Sequence, residues 1–364
     1  MIPVQPSSLR PRRVRSAPAR SRAAWAAVVS AWAVLAACGD VTEIETRTGD
    51  EGSPIAGFVE GGGAPPFLEL VEDAKDSTAF RGVRRVRSVV EKEVLETRQT
   101  VGADGQGRFA IELLETLSLT SNIDPLTFPV TFENSARFQW QVRDFRIRDL
   151  DRTAQSYSIH VLPTSPTVAG IPCARVEFFR SAPIGGRPGH YEVDIDPRTG
   201  FVLAWREFDE FGQPIVESEY ETFEYGGDTS DMVLRDRLFP AKELDLAGDL
   251  GGQAGMNVLY PDVAPLGFEV VAVELMEVPK SIGVSGHEIL EPGSWVRFLM
   301  TDGIETITFV HDDDFQPSAL SVVELKAFRQ GAWEILFGDI QGTSIVIAGR
   351  VSDSMIRRVI QSAF

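Results

Sequence analysis

Apolar and charged residues alternate along most of the chain between residues 80 and 225, and this two-residue period predicts β-strands. Turn-forming segments such as 196–200 (DPRTG) and 209–214 (DEFGQP) separate the runs and predict hairpins between antiparallel strands. A short helix is predicted before the sheet at residues 67–75, directly after Pro66. The predicted strands of this first unit are residues 80–90, 93–101, 109–117, 137–142, 144–148, 157–162, 174–179, 190–195, 201–208 and 215–225.

A second series of β-rich runs begins near Met256, after a stretch rich in glycine and acidic residues at 228–255. Asp302 and Gly303 stand between two alternating runs and predict a hairpin with a two-residue turn, because glycine readily adopts positive φ and aspartate tolerates it. The chain closes with a predicted helix that begins after Ser352. Its apolar stripe has helical spacing and consists of Met355, Ile356, Val359, Ile360 and Ala363.

The N-terminal residues have the pattern of a secretory signal peptide. Six arginines without any acid precede thirteen uncharged, mostly apolar residues at 23–35, which are fewer than the roughly 20 that a transmembrane helix needs. Residues 35–38 (LAAC) match a bacterial lipobox, in which Cys38 is acylated after cleavage and becomes the new N-terminus. The alternative is an ordinary signal peptide with an incidental cysteine. We expect an exported chain on the periplasmic side of the envelope, anchored to a membrane through Cys38.

These patterns divide the chain into five parts. Residues 1–37 are the predicted signal peptide, and residues 38–66 form a tether whose glycine, proline and acidic residues indicate flexibility. Residues 67–227 form the large unit and residues 256–364 the small unit, with the linker 228–255 between them. We expect this linker to leave the two units free to change their relative arrangement.

The charge balance limits the classes of molecule that the chain is expected to bind. Removal of the signal peptide leaves 29 basic and 53 acidic residues, a formal net charge of −24 over 327 residues. Such a surface repels nucleic acid, so a nucleic-acid partner is not expected. Cys38 and Cys173 are the only cysteines, and acylation of Cys38 leaves Cys173 without a disulfide partner. Apolar neighbours predict that Cys173 is a buried, inert thiol.

The sequence contains no recognisable motif for catalysis, a metal or a cofactor. The four histidines are far apart in the sequence, and residues 311–314 (HDDD) lack the spacing of a calcium loop. Asp194 and Asp196 are two residues apart, so they are expected to share one exposed face of a strand that ends in a hairpin turn, which favours a structural role. The basic run 81–87 is predicted to pair with neighbouring glutamates, with an anionic lipid head group as the alternative contact. We expect a binding protein and not an enzyme, with no catalytic residue, metal or cofactor.

Several segments, taken in order, match one known family. The matching segments of the large unit are 169–179 (AGIPCARVEFF) and 191–225 (YEVDIDPRTGFVLAWREFDEFGQPIVESEYETFEY). Those of the small unit are 265–268 (PLGF), 301–309 (TDGIETITF) and the closing Gly349 with the predicted last helix. In these segments the chain resembles the sigma-E regulatory proteins of the RseB/MucB family, from about Phe67 to Phe364.

The resemblance implies the fold class α+β, mainly β. It implies a half-open antiparallel β-barrel with packed helices, like that of the lipoprotein carriers LolA and LolB, followed by a smaller α+β domain. It also implies a regulator of an extracytoplasmic-stress sigma factor pathway. The large domain would bind a lipid or acyl signal, and the small domain would bind the periplasmic domain of an anti-sigma factor.

An apolar groove for acyl chains is expected on one face of the large sheet. The residues expected to line it alternate with polar neighbours along their strands. In the alternative interpretation the same side chains simply fill a core. They are Phe138, Trp140, Val193, Leu203 and Trp205.

Two other functional classes remain open. A lipid or lipoprotein carrier like LolA or LolB would use the groove and would not need residues 256–364. A structural envelope lipoprotein would have no ligand at all. The small unit, with the Asp302–Gly303 hairpin that sets its strand register, favours a protein partner over a simple carrier.

Overall fold

The computed structural model describes most of the chain from residue 66 onward, and it forms two β-rich units that contact each other. The described residues are 66–90, 93–119, 144–181, 189–209, 211–235, 241–262, 264–265, 267–278, 282–284, 287–290, 292–312, 326–330, 333–340, 342–349 and 353–363. Cys38 and the predicted strand 137–142, with Phe138 and Trp140, lie outside these ranges.

Within the described ranges, the large unit is an eight-stranded antiparallel sheet with helix α1 (Leu68–Ser77) against one face. A short helix, α2 (Leu150–Ser156), leads directly into an edge strand. The strands of this sheet are β1 (Ala79–Val90), β2 (Glu93–Asp104), β3 (Phe109–Leu119), β4 (Tyr157–Val161), β7 (Ala174–Arg180), β8 (His190–Ile195), β9 (Val202–Phe208) and β10 (Pro214–Tyr225). A separate small hairpin of β5 (Thr167–Val168) and β6 (Ile171–Pro172) lies between β4 and β7 in the sequence. The spatial order of the strands in the large sheet is β3-β2-β1-β10-β9-β8-β7-β4.

The two-residue period of the sequence explains the inner face of this sheet. Along β7, buried and less buried side chains alternate, because successive side chains of a strand point to opposite faces. The inward side chains of β7, β8 and β9 pack on Leu68 and Val71 of α1. Arg85 and Arg87 point to the other face and pair with Glu96 and Glu217, as predicted. The described partners of Arg81 and Arg84 are Asp231 and Asp144, which are aspartates and not the predicted neighbouring glutamates.

The described residues of the small unit form a seven-stranded sheet covered by the closing helix. The strands are β11 (Ala241–Leu244), β12 (Glu269–Val278), β15 (Gly293–Thr301), β16 (Thr306–His311), β17 (Lys326–Gln330), β18 (Trp333–Ile340) and β19 (Thr343–Gly349), beside the hairpin of β13 (Ile282–Val284) and β14 (His287–Leu290). Their order is β11-β12-β15-β16-β19-β18-β17. Helix α4 (Asp353–Ala363) buries Ile356, Val359 and Ile360 in the core of this unit, as the apolar stripe predicts.

Three local predictions are wrong or need new bounds. Residues 144–148 are not a strand; they run as irregular backbone between the sheet and α2. The predicted linker continues into the small unit, since β11 pairs with β12 and helix α3 (Leu250–Ala254) packs on the same core. The hairpin at Asp302 and Gly303 exists, but the last strand pair is Thr301 with Thr306, so the loop has four residues and not two.

The predicted class, α+β and mainly β, is confirmed at that level. The half-open barrel of the LolA/LolB type is the finer part of the prediction and stays a prediction. In the described part of the chain the large sheet ends at β3 and β4, which are not neighbours. Among the described residues, no helix is both long enough and apolar enough to cross a membrane.

Candidate functional site

The predicted groove residues that the structure describes are all buried. Val193 on β8 lies directly opposite Trp205 on β9, and both pack against α1 in one apolar cluster. Leu203 belongs to a second cluster, with Phe80 and Phe201. The relative exposure of Val193, Leu203 and Trp205 is 0%, 1% and 4%. These side chains therefore contact other side chains along most of their surface.

A small cavity remains between α1 and the inner face of the sheet. Its volume is about 30 Å³. This is space for about two water-sized groups, since one water needs roughly 10–15 Å³ by this measure. An acyl chain would require α1 to move away from the sheet. The cavity is lined by Val71, Lys75, Arg84, Asp144, Phe145, Arg146, Gly200, Phe201, Val202, Leu203, Trp205, Ser218 and Tyr220.

One end of this cavity is charged. Asp144 Oδ2 accepts hydrogen bonds from Arg84 Nη1 at 2.5 Å and from Lys75 Nζ at 3.4 Å. Arg84 also donates from Nε to Gln99 Oε1 at 3.0 Å. The hydroxyl of Tyr220 is buried beside them and has no hydrogen-bond partner among the described residues. Helix α1 is thus held to the sheet by ion pairs as well as by apolar contacts.

Burial and neighbouring charges change the pKa values of the side chains in this cluster. Desolvation lowers the pKa of Lys75 to about 7, against the opposing charge of Asp144. Desolvation alone would raise the pKa of Asp144, but the charges of Arg84 and Lys75 outweigh it and hold that pKa below its ordinary value. Lys75 is therefore close to half-protonated at neutral pH, while Asp144 stays ionised.

The second candidate region is the contact between the two units. Residues 302–305, which we call the docking loop, extend from the small unit into the large one. The carbonyl of Gly303 accepts a hydrogen bond from Arg148 N at 2.7 Å. Asp302 caps the loop from within, since its Oδ1 accepts from Ile304 N at 3.1 Å and from Glu305 N at 2.8 Å. Asp302 is 0% exposed, so the predicted partner-domain hairpin faces the large unit and not solvent.

A buried ionic cluster holds the docking loop in place. Arg180, at the end of β7, forms an ion pair with Asp302 and lies 3.6 Å from Glu305 Oε1. The hydroxyl of Tyr157 donates to Asp302 Oδ2 at 2.9 Å, and that of Tyr191 donates to Glu305 Oε1 at 3.1 Å. The three charged side chains are no more than 4% exposed. Burial alone would lower the pKa of Arg180, but the charge of Glu305 outweighs it and raises it.

Apolar packing joins the docking loop to the cavity. Ile304 is 6% exposed and belongs to the same apolar cluster as Val71, Phe145 and Trp205, which line the cavity. Arg152 on α2 also reaches the small unit, with an ion pair to Glu269 at 2.5 Å. Ile304 therefore shares one packed apolar cluster with side chains of α1 and with Phe145.

The remaining sequence candidates have structural roles. Asp194 and Asp196 are buried, so the prediction of an exposed face is wrong. Asp194 accepts a bidentate pair of hydrogen bonds from Arg175, and Asp196 caps the hairpin turn by accepting from Arg198 N at 3.0 Å. His311 is buried, accepts from Leu259 N at 3.1 Å through Nε2 and lies 2.8 Å from the carbonyl of Asp312 through Nδ1. Within the described ranges, no three His, Cys, Asp or Glu side chains come together as a metal site.

Sequence reasoning missed both charged clusters. Arg84 is in phase with the buried Phe80 and Val86 of β1, and this alternation was the signal that it points inward. Asp144 lies 60 residues and Asp302 122 residues from the arginines that they bind. No local period in the sequence identifies such pairs.

Cys173 provides a direct test of the packing beneath β5 and β6. It is 1% exposed, and burial raises the pKa of its thiol to about 12. We expect thiol reagents at pH 8 to label Cys173 slowly in the native protein and rapidly in denaturant, because the thiolate is the reacting species. A chain with Cys38 replaced by serine removes the other thiol. Rapid labelling of the native protein would contradict the burial.

Of three comparisons with known proteins, only the comparison with solved structures found matches. No protein-family model matches the chain, and no curated protein matches it. The chain is similar to MucB in complex with MucA(peri), with 14% identity and a TM-score of 0.46, over 81% of this chain and 96% of that chain. The Pseudomonas aeruginosa MucA/MucB complex is also similar, with 13% identity and a TM-score of 0.44, over 80% of this chain and 95% of that one.

MucB alone is similar as well, with 14% identity and a TM-score of 0.44, over 81% of this chain and 95% of that chain. The predicted resemblance to the RseB/MucB family therefore recurs among the structural neighbours. With TM-scores below 0.5, this likeness supports no conclusion about the fold, the function or any residue of this chain.

Proposed function

We propose that the chain is a non-enzymatic regulator of the cell envelope with two coupled binding sites. The large unit binds a lipid or acyl ligand between α1 and the sheet. The small unit binds the periplasmic domain of an anti-sigma factor, the partner class that the sequence resemblance implies. Cys38 anchors the chain to a membrane, and the tether 38–66 holds both units on the periplasmic side.

The observation that supports this proposal most directly is the position of Ile304. This side chain belongs to the small unit, yet it packs in the cluster that lines the cavity of the large unit. A ligand that displaces α1 or Phe145 changes the surroundings of Ile304 and so alters the free energy of docking. A ligand shifts an equilibrium only by its differential affinity for the two arrangements, and this shared cluster supplies the difference.

The polar character of the contact supports the same mechanism. Arg180, Asp302 and Glu305 are ionic groups that water solvates well when the units separate. Charged groups regain hydration when such a contact opens, which apolar side chains do not. The docked arrangement is one state, and separation of the units is the second state that the regulator requires.

The test measures coupling between the two binding events. A diacylated lipopeptide is titrated into the mature chain with Trp fluorescence as readout, and the anti-sigma periplasmic domain is bound in parallel with and without the lipopeptide. Allosteric coupling is typically 5–150-fold in affinity and must be the same in both directions. We expect a change of at least about fivefold.

The variant Ile304→Ala should remove this coupling while leaving each separate affinity within about threefold, a difference of about 0.7 kcal/mol. Ile340→Ala is the control, because Ile340 packs against the core of the small unit and the change removes the same atoms away from the docking loop. Lipopeptide binding without any anti-sigma binding would support a carrier instead. Binding of neither would support a structural lipoprotein.

A further inference from the structure

The pairing of β3 with β2 shifts register twice, and each shift leaves one residue of β3 without a residue opposite it. These two residues are Leu114 and Leu117, which are therefore β-bulge residues. The relative exposure of Leu114 is 54% and that of Leu117 is 41%. A bulge redirects the side chain of the extra residue. Here both bulges present a leucine to solvent.

The two bulges repeat one local arrangement. Each lies between a residue opposite a buried side chain of β2 (Gln99 or Thr97) and a residue opposite a less buried one. The two leucines are thus equivalent, and we expect them to leave the strand in the same direction. They are separated by two residues of β2, which is about 7 Å along the sheet. Four residues of an α-helix span about 6 Å.

Beyond Phe109, the outer edge of β3 has no strand partner in the described part of the chain. Phe109 exchanges backbone hydrogen bonds with Arg235, at 3.0 and 2.9 Å, in an isolated bridge. Val233, two residues before Arg235, is a further apolar side chain that is 67% exposed. An added strand needs a regular row of N–H and C=O groups, and the two bulges interrupt this row. The edge is therefore suited to side-chain contacts and not to extension of the sheet.

The exposed leucines lie among carboxylates. Glu112 and Glu115 are the only charged residues of β3. Arg98 of β2 pairs with Glu115 at 3.2 Å and also with Glu221 at 2.8 Å, so one cation serves two carboxylates. Glu112 is exposed and forms no ion pair with another residue of the described ranges. The edge therefore carries net negative charge, and its complement is a cationic partner.

We propose that the outer edge of β3 docks a basic amphipathic α-helix of a partner protein, with Leu114 and Leu117 as the apolar anchors. A helix satisfies its own backbone hydrogen bonds, so it binds through side chains alone. Apolar side chains at positions i and i+4 of the helix match the spacing of the two leucines, and flanking Lys or Arg side chains meet Glu112 and Glu115. A second copy of this chain would bring two negative edges together, which disfavours self-association here. The surface belongs to the large unit and does not depend on the proposed function.

The experiment uses the full mature chain carrying Cys38→Ser and three fluorescent peptides of about 18 residues, or five helical turns. The first peptide has leucines at helical spacing and lysines elsewhere. The second has glutamate in place of each lysine, and the third has the composition of the first with leucine and lysine alternating as in a strand. Fluorescence anisotropy gives each affinity. We expect the first peptide to bind at least about tenfold more tightly than the other two, because like charges repel the second and the bulges exclude the third.

The double variant Leu114→Ser/Leu117→Ser should weaken the first peptide at least about tenfold. Together the two leucines expose about as much surface as one fully exposed leucine, whose burial corresponds to at least that factor. Leu246→Ser is the matched control, since Leu246 is 39% exposed on the small unit, and it should change the affinity less than about twofold. Glu112→Gln should reduce the salt dependence of binding. Thermal unfolding confirms that each variant folds.

Each other outcome would overturn the proposal. Unchanged binding by the double variant would place the peptide elsewhere, and binding of no peptide would remove the docking surface. Equally tight binding of the strand-patterned or the glutamate peptide would contradict the helix or the charge argument. A leucine-dependent association with phosphatidylcholine vesicles, or a leucine-dependent dimer in sedimentation, without peptide binding would identify a membrane or a second copy as the occupant. None of these results changes the coupling between lipopeptide and anti-sigma domain, so the two proposals fail separately.

Discussion

Replacement of Arg180 by methionine should open the contact between the two units and lower the free energy of unfolding by about 3–5 kcal/mol. The guanidinium is the only cation that the structure pairs with Asp302 and Glu305 among the described residues. Its removal takes away the guanidinium that lies against both buried carboxylates in the described part of the chain. Urea unfolding measures the loss, and small-angle scattering reports whether the units separate.

An exposed pair on the same sheet supplies the control. Arg85 is 55% exposed in its side chain and pairs with Glu96. Exposed ion pairs contribute about 0–1 kcal/mol, so Arg85→Met should have little effect. Mild acid should restore part of the stability of Arg180→Met, because protonation neutralises the buried carboxylates. If the two variants lose the same stability, the buried ionic cluster does not hold the units together.

Replacement of Gly303 by valine should separate the units without disturbing the strands of the small unit. A Cβ on Gly303 would lie 2.8 Å from the carbonyl oxygen of Asp149 and would collide with the backbone nitrogen and the hydroxyl of Thr153. Gly303 also has φ of +106°, where a β-branched residue is strained. The sequence alone predicts strand misalignment for this change. The structure predicts loss of docking, because β15 and β16 stop pairing at Thr301 and Thr306, outside the loop.

Hydrogen exchange separates these two outcomes. Protection of β15 and β16 should remain, and protection of Arg148 N, which donates to the Gly303 carbonyl, should be lost. The matched control is Gly212→Val in the hairpin between β9 and β10. Gly212 has φ of +75°, but a Cβ there meets nothing within 4 Å. The Gly212→Val variant therefore introduces backbone strain but no steric clash. Equal losses in the two variants would attribute the effect to strain and contradict the docking role of Gly303.

The local pattern of apolar and polar residues was sufficient to predict most of the strands. Side chains of a strand alternate between two faces, so a strand with one buried face has a two-residue period that can be read without knowing its partner. The predicted runs at residues 174–179, 190–195, 201–208 and 215–225 appear as β7 to β10 with nearly the same bounds. Apolar neighbours predicted the burial of Cys173, and a helical period predicted the apolar stripe of α4, of which Ile356, Val359 and Ile360 lie in the core of the small unit.

The sequence pattern gave wrong or incomplete predictions where a segment binds residues that are distant in the sequence. Residues 144–148 alternate as a strand does, yet Arg148 N binds the docking loop and Asp144 binds Arg84. The sequence signal at Asp302 and Gly303 was read as a local turn. Its wider role depends on Thr153, Tyr157 and Arg180, which lie more than 100 residues away.

The amino-acid sequence by itself determined which segments become strands and helices, and which side of each strand is buried. Those properties depend on neighbours within a few positions, where hydrophobic period and turn chemistry act. Only the tertiary structure decided that Lys75, Arg84 and Asp144 share a cavity and that the docking loop enters the large unit. The physical reason is that a buried charge needs a partner but not a partner at any fixed distance along the chain, so the pairing is set only when the sheets and helices pack.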